Sequence, residues 1–195
     1  MSGKTFFVFL AVIILLELIL VGCPIFEPVR PPSLHKVVST SALVASPSCA
    51  VQIEEKTVEG TSMSPLVKPG EVITALYGYY ACHPIERGDI VLYHYAGDKN
   101  PLIKIVKAVP GDRWSLGDKN GDFLILVNGK VLKNSEGNEY QIPDTNKILP
   151  LYAEDYPVIP QNAYLILGDD PTGSLDSSRF GLISGEALLG KVVLK

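Results

Sequence analysis

The sequence predicts a mostly β domain behind a single N-terminal helix that enters a membrane. Three observations carry that prediction. An almost unbroken apolar run, "TFFVFLAVIILLELILVG", occupies residues 5–22. Beyond residue 50, short runs of β-branched and aromatic residues recur at the length of strands rather than helices. Pro-Gly pairs at 69–70 and 110–111 and an Asn-Gly pair at 128–129 punctuate them, and Asn-Gly between two apolar runs is the strongest short hairpin signal.

As a helix, residues 5–22 would span roughly 27 Å at about 1.5 Å per residue, close to the ~30 Å hydrocarbon core of a bilayer. Glu17 is the one charge in the run, so the polar face of a soluble core helix is missing. Lys4 supplies the positive flank that stays on the cytoplasmic side. The run ends in "LVGC" at residues 20–23, which resembles the lipobox of bacterial lipoproteins, where Cys23 would be lipidated after cleavage before it. Two readings therefore stand: residues 1–22 form an uncleaved single-pass anchor in the plasma membrane, or they form a signal removed ahead of a lipidated Cys23. Both make the lipid bilayer a partner and put residues 24–195 outside the cytoplasm. Residues 23–48, "CPIFEPVRPPSLHKVVSTSALVASPS", are rich in Pro and Ser and keep no helical or strand period, so they read as an extended stalk.

The strand-like runs then follow at 51–58, 72–76, 89–95, 102–109, 123–127, 130–132, 163–167 and 189–194, making residues 49–195 one β domain. The formal net charge is −4 and no basic run occurs. A nucleic-acid partner, whose phosphates call for a stripe of Lys and Arg, is excluded. Of the three cysteines, Cys49 and Cys82 are able to pair in an exported chain, provided the fold brings their Cα atoms within about 7 Å. The cysteines are too few for a zinc site, and His35, His83 and His94 stand at no ligand spacing. Neither a metal nor any other cofactor is expected.

The stretch "EGTSMSPLVKPGE" at residues 59–71 offers Ser62, Ser64 and Lys68 close together. A serine hydroxyl is a poor nucleophile until a base takes its proton. His83 and His94 are available as bases by residue type. A lysine serves equally if burial disfavours its ammonium. Lys68 and most other lysines lie in polar turns, whereas Lys104 and Lys107 lie in the apolar strand "PLIKIVKAVPGD". By strand alternation Lys104 shares a face with Leu102 and Val106, and Lys107 the other face with Ile103 and Ile105. One of the two is buried unusually, or snorkels at an edge.

Five stretches, "GTSMSPLVKPGE", "PIERGDIVLY", "LIKIVKAVPGD", "VNGK" and "LILGDDPTGSLDSSRFG", resemble in this order the boxes of bacterial type I signal peptidases. The likeness runs from about residue 59 to 195. The boxes read G-x-S-M-x-P at the nucleophile, R-G-D-I-V, K-R-x-x-x-x-P-G-D at the base and G-D-N-x-x-x-S-x-D-S-R near the end. By position the resemblance makes Ser62 the nucleophile and Lys104, six residues before Pro110, the general base. Ser64 becomes a neighbour and Lys68 a turn residue. The resemblance implies that Ser174 hydrogen-bonds the base lysine and that Asp176 supports the site, with Gly168 and Asp169 opening the same box.

This sequence departs from the pattern at four places. Ile105 stands where the family has Arg, and Asp170 where it has Asn. Ser178 occupies the position of the last-box Arg, with Arg179 one residue beyond, so a contact from Arg179 to Asp176 is expected only through a local shift. Gly60 stands two residues before the nucleophile, so the oxyanion hole would rest on backbone donors in the Gly60 region, chiefly the Ser62 N–H.

The resemblance implies a signal-peptidase-like β-sheet catalytic domain with a single N-terminal transmembrane helix. The activity implied is a serine endopeptidase that removes signal peptides from exported preproteins through an acyl-enzyme. Two alternatives remain at this level. A conjugative pilin-processing peptidase of the same superfamily would keep the chemistry, and a lipoprotein with a non-catalytic binding domain would not. The apolar residues Met63 and Pro65, with the aromatic stretch "LYGYY" at 76–80, are expected to meet the bilayer surface beside the nucleophile.

Overall fold

The structure, a computed structural model, describes residues 49–96 and 100–195. The expected anchor and stalk lie outside the described residues. Among the described residues, no helix is long and apolar enough to cross a membrane.

The eight expected runs all appear as strands in their order, and with three further strands that the sequence reading missed they build two antiparallel sheets. The larger contains β1 (Gln52–Thr57), β2 (Val72–Tyr77), β3 (Ile90–Tyr93), β4 (Leu102–Ala108), β9 (Ala163–Leu167), β10 (Ile183–Ser184) and β11 (Leu188–Leu194). Its seven strands are ordered β1-β2-β11-β3-β4-β9-β10, so the last strand of the chain runs between β2 and β3. The smaller sheet holds β5 (Trp114–Lys119), β6 (Asp122–Val127), β7 (Lys130–Val131) and β8 (Gln141–Ile142), with β5, β7 and β8 all pairing with β6.

The Asn-Gly hairpin is where the sequence places it. Asn128 and Gly129 both take positive φ, 51° and 76°, as a two-residue turn between twisted strands requires. A second turn of this kind, Asn120-Gly121 between β5 and β6 with φ of 58° and 91°, was hidden inside the polar run "LGDKNGD". Strand β5 went unrecognised with it, because Gly117 and Asp118 dilute its alternation. Helix α1 (Ile148–Asp155) was also unforeseen, since Pro150 reads as a breaker. In the first turn, however, a proline forfeits no helical hydrogen bond. The Asn146 side chain accepts from the Ile148 and Leu149 amides at 3.0 Å each and starts the helix.

Burial follows the strand faces. Met63, Val67, Ile73, Ala75, Leu92 and Ile105 pack into one cluster, Val91, Val106, Ile166 and Leu188 into a second on the other face of the large sheet. A third, with Trp114, Ile125, Tyr140, Leu149, Leu165 and Leu167, joins the two sheets. Cys49 and Cys82 form a disulfide with Cα atoms 5.7 Å apart, tying the start of the domain to the turn after β2.

Candidate active site

Between β1 and β2 the chain makes a compact turn rather than a loose loop. The Val58 amide donates to Glu71 O and the Gly70 amide to Val58 O, closing the neck, while Ser64 N–H donates to Thr61 O and Val67 N–H to Met63 O. Met63 is 1% exposed and packs with Ile73, Leu92 and Ile105. That burial corrects the expectation that Met63 meets the bilayer: the side chain after the serine is the peg that fastens the turn to the core. Ser62, one residue earlier, is half-buried and lines a groove of about 610 Å³ together with Gly60, Thr57 and residues 100–103. Gly60 has φ of +76°, and a Cβ there would meet nothing within 4 Å. It is the left-handed backbone, not crowding, that calls for glycine.

The opposite wall is β4. Register pairs Lys104 with Val91 and Val106 with Ile166, so Lys104 rises on the face that the sequence alternation assigned it. It is 1% exposed. Its Nζ donates to Ser62 Oγ at 3.0 Å and to Ile103 O at 2.8 Å. Burial pushes its ammonium down from the ordinary 10.5 to about 8, against the opposing pull of the Asp176 carboxylate. His83 Nδ1 is engaged with Tyr79 O at 2.9 Å, its ring stacked on Tyr79 at 4.0 Å, and His94 is exposed; neither bonds Ser62.

The segment after β9 comes against the back of the serine. A Cβ on Gly168 would lie 2.3 Å from Ser62 O and 2.4 Å from Ser174 Oγ, so only glycine permits the approach. The Asp170 amide donates to Ser62 O at 3.1 Å. Asp176 caps α2 (Ser177–Phe180) by accepting from Ser178 N–H at 3.0 Å, and its other oxygen accepts from Gly168 N–H at 2.8 Å.

Two expected contacts take a different form. Arg179 does not pair with Asp176 in the described residues; its Nε donates to Ser174 O at 3.1 Å. Standing one residue further along than the family Arg, Arg179 reaches the Ser174 carbonyl instead. Ser174 is 6% exposed, and its Oγ has no hydrogen-bond partner; Lys104 Nζ spends its bonds on Ser62 and Ile103. Ser174, Asp176 and Arg179 line a second cavity of about 320 Å³ with Tyr140, Pro143 and Asn146.

Sequence reasoning placed Asp169 in a box but gave it no partner. Fully buried, its carboxylate accepts from Leu66 N–H at 3.1 Å, Ser135 N–H at 2.9 Å and Ser135 Oγ at 2.6 Å. It thereby ties the serine turn to the β7–β8 connection. Asn134 Nδ2 donates to Asp169 O at 3.1 Å and Tyr140 Oη to Gly168 O at 2.7 Å. Only the polar turn "KNSEGNEY" hinted at this support, without naming its target. Among the described residues no cluster of His, Cys, Asp and Glu is arranged to hold a metal ion.

Fold and site define a hydrolase class in which a buried lysine stands against a serine. Residues 32–195 match the family model described as signal peptidase, peptidase S26. Over 145 residues the chain is 34% identical to signal peptidase IB of Staphylococcus aureus (strain COL), covering 70% of this chain and 73% of that one. Over 144 residues it is 31% identical to signal peptidase I of Bacillus caldolyticus, covering 69% and 74%. A solved signal peptidase I from Enterococcus faecalis V583 superposes with a TM-score of 0.40 at 19% identity, covering 57% of this chain and 98% of that one. The chain belongs to the signal peptidase family: it is a serine endopeptidase of that type, membrane-associated as the family is, and acts on exported preproteins.

Proposed function

We propose that Ser62 is the nucleophile and Lys104 the general base of a single-pass enzyme that cleaves signal peptides on the outer face of the plasma membrane. In this reading residues 1–22 are the anchor with its N-terminus in the cytoplasm, 23–48 the stalk and 49–195 the catalytic domain. The observation that carries it is the 3.0 Å separation of Lys104 Nζ from Ser62 Oγ, held by a lysine that is 1% exposed.

Neutral Lys104 accepts the Ser62 hydroxyl proton as Oγ bonds to the scissile carbonyl carbon. Charge moves onto the carbonyl oxygen, where the Ser62 N–H and the backbone of the Gly60 region donate to it. The lysine ammonium then protonates the leaving amine, and the peptide C–N bond breaks to give an acyl-enzyme. Water, deprotonated by the same lysine, attacks the ester and frees Ser62. Asp176 supports this arrangement through Gly168 N–H, and Arg179 through the carbonyl of Ser174.

The test is preprotein cleavage by full-length variants in detergent. Ser62→Ala and Lys104→Ala are each expected to abolish turnover while the fold persists, because either change disables a unit that works only as a pair. Ser64→Ala is expected to keep it. Wild-type kcat should rise with pH through an apparent pKa near 8, since burial holds the base there. A live Ser62→Ala, or a profile governed by His83 or His94, would defeat the assignment.

A further inference from the structure

Strand β4 carries a second lysine that the chemistry above does not use. Val106 opposes Ile166 and Ala108 opposes Leu165, so Lys107 is the extra, unpaired residue of a β-bulge three residues beyond Lys104. Bulges re-aim a side chain, and they gather beside active sites. This one aims Lys107 at the scaffold of the serine turn. Its Nζ lies 5.0 Å from the Tyr140 ring centroid and donates to Lys133 O at 3.1 Å. Tyr140, 1% exposed, in turn donates to Gly168 O. The next residue, Asp169, holds Leu66 N–H and Ser135 while fully buried, and no ion pair to it is present among the described residues. A buried carboxylate held only by neutral donors is costly unless a cation stands near.

We infer that Lys107 is a positioning residue for peptide cleavage, acting as a charged ammonium through Tyr140 and Asp169 on the backbone that holds Ser62. It touches no reacting atom. The charged and titratable groups that face it are Asp169, the neutral phenol of Tyr140 and, across the Lys133 carbonyl, the strand end at Glu139, whose carboxylate is taken by Lys119. Burial lowers Lys107 below its ordinary value, and the Asp169 carboxylate offsets only part of this. On this inference the enzyme works with Lys104 neutral while Lys107 is still charged. Activity that rises as Lys104 loses its proton then falls as Lys107 loses its own.

The inference rests on the Ser62–Lys104 reading, and the experiment separates the two. The kcat and KM of the full chain in detergent would be measured against pH with a soluble peptide substrate, for wild type, Lys107→Arg and Lys107→Met, alongside melting temperature. Wild type should give a bell. Lys107→Arg should keep the rise near 8 and lose the alkaline fall, because a guanidinium stays charged. Lys107→Met should lose roughly tenfold to a hundredfold in kcat, the scale of a slight misplacement of reacting groups, with KM little changed. An alkaline fall that is the same in Lys107→Arg as in wild type overturns the inference, as does one that tracks unfolding in both, or a Lys107→Met enzyme with wild-type kcat. Should Lys107→Met not fold, Lys107→Arg alone decides. Absence of the rise in wild type counts instead against Lys104 as the base.

Discussion

The two sides of β4 hold one lysine each, and they differ in what surrounds the ammonium. On one side Lys104 meets a hydroxyl and a carbonyl, with the Asp176 carboxylate pulling against the effect of burial. On the other, half-buried Lys107 lies over an aromatic ring and donates to a carbonyl, with the Asp169 carboxylate pulling against burial in the same way. Residue type and strand are the same, and burial lowers both ammonium groups, but only the first stands against a hydroxyl while the second rests on a π face. What separates a base from a support is the company of the nitrogen, which alternation sets for Lys104 and the bulge sets for Lys107.

Gly168 is where the two sides meet, so altering it tests the comparison most severely. Its N–H answers to Asp176, its carbonyl to Tyr140, and its Cα faces Ser62 O. Gly168→Ala places a methyl 2.3 Å from Ser62 O and 2.4 Å from Ser174 Oγ. The backbone of the serine turn has to move, which overpacking estimates put at about 1–3 kcal/mol or more. A displacement near 1 Å at the dyad costs on the order of a hundredfold in rate. The expected result is a folded, less stable enzyme with kcat down at least that far; near-normal kcat would mean the two sides are not coupled through this residue.

The part of this arrangement that was legible in the sequence is the part fixed by short, ordered spacing. Ser62 before Met63 and Lys104 six residues before Pro110 could be named because each sits in its own box, and alternation assigned the two lysines to opposite faces. The partners of those residues could not be named, because they arrive from distant, polar turns. Ser135 reaches Asp169 across a separation of 34 residues from a stretch that looks like any solvated loop. Met63 was misread for a related reason: an apolar residue between two serines in a polar stretch looks like surface, and only the tight turn that carries it into the core buries it. Strand β5, the two-residue β8 and β10 and the Pro-containing α1 escaped because their local signals are weak and packing decides them.

Lys104→Met sharpens the contrast through stability rather than rate. Folding lowers this lysine from 10.5 to about 8, so the folded state binds its proton less well than the unfolded chain. The penalty is therefore complete below about 8 and vanishes above 10.5, and it amounts to roughly 3 kcal/mol at about 1.4 kcal/mol per unit. Methionine carries no such penalty but strips a donor from Ser62 Oγ and Ile103 O, an offset that does not depend on pH. Urea melts at pH 6.5 and 10.5 should show the variant gaining on wild type at the lower value and losing that advantage at the higher. A difference between the two proteins that stays constant with pH would mean that Lys104 is not held near 8.

The smallest effect is expected at Ser174, and it tells the geometry from the resemblance. The resemblance makes this hydroxyl a partner of the base, whereas in the structure Oγ is buried without a hydrogen-bond partner. A hydroxyl that is desolvated and unbonded costs about 1–3 kcal/mol, so Ser174→Ala should leave stability unchanged or raise it by about 1 kcal/mol. Its carbonyl, which receives Arg179 Nε, survives the substitution, so the loop keeps its anchor. Cleavage of a soluble peptide should fall no more than a few-fold, with the rise near 8 unmoved, because Lys104 retains both of its bonds. If instead kcat drops a hundredfold and the rise shifts, the hydroxyl turns to Lys104 during turnover. Its unbonded state would then belong to the resting enzyme alone, and the side of β4 that carries the base would be defined by three groups rather than two.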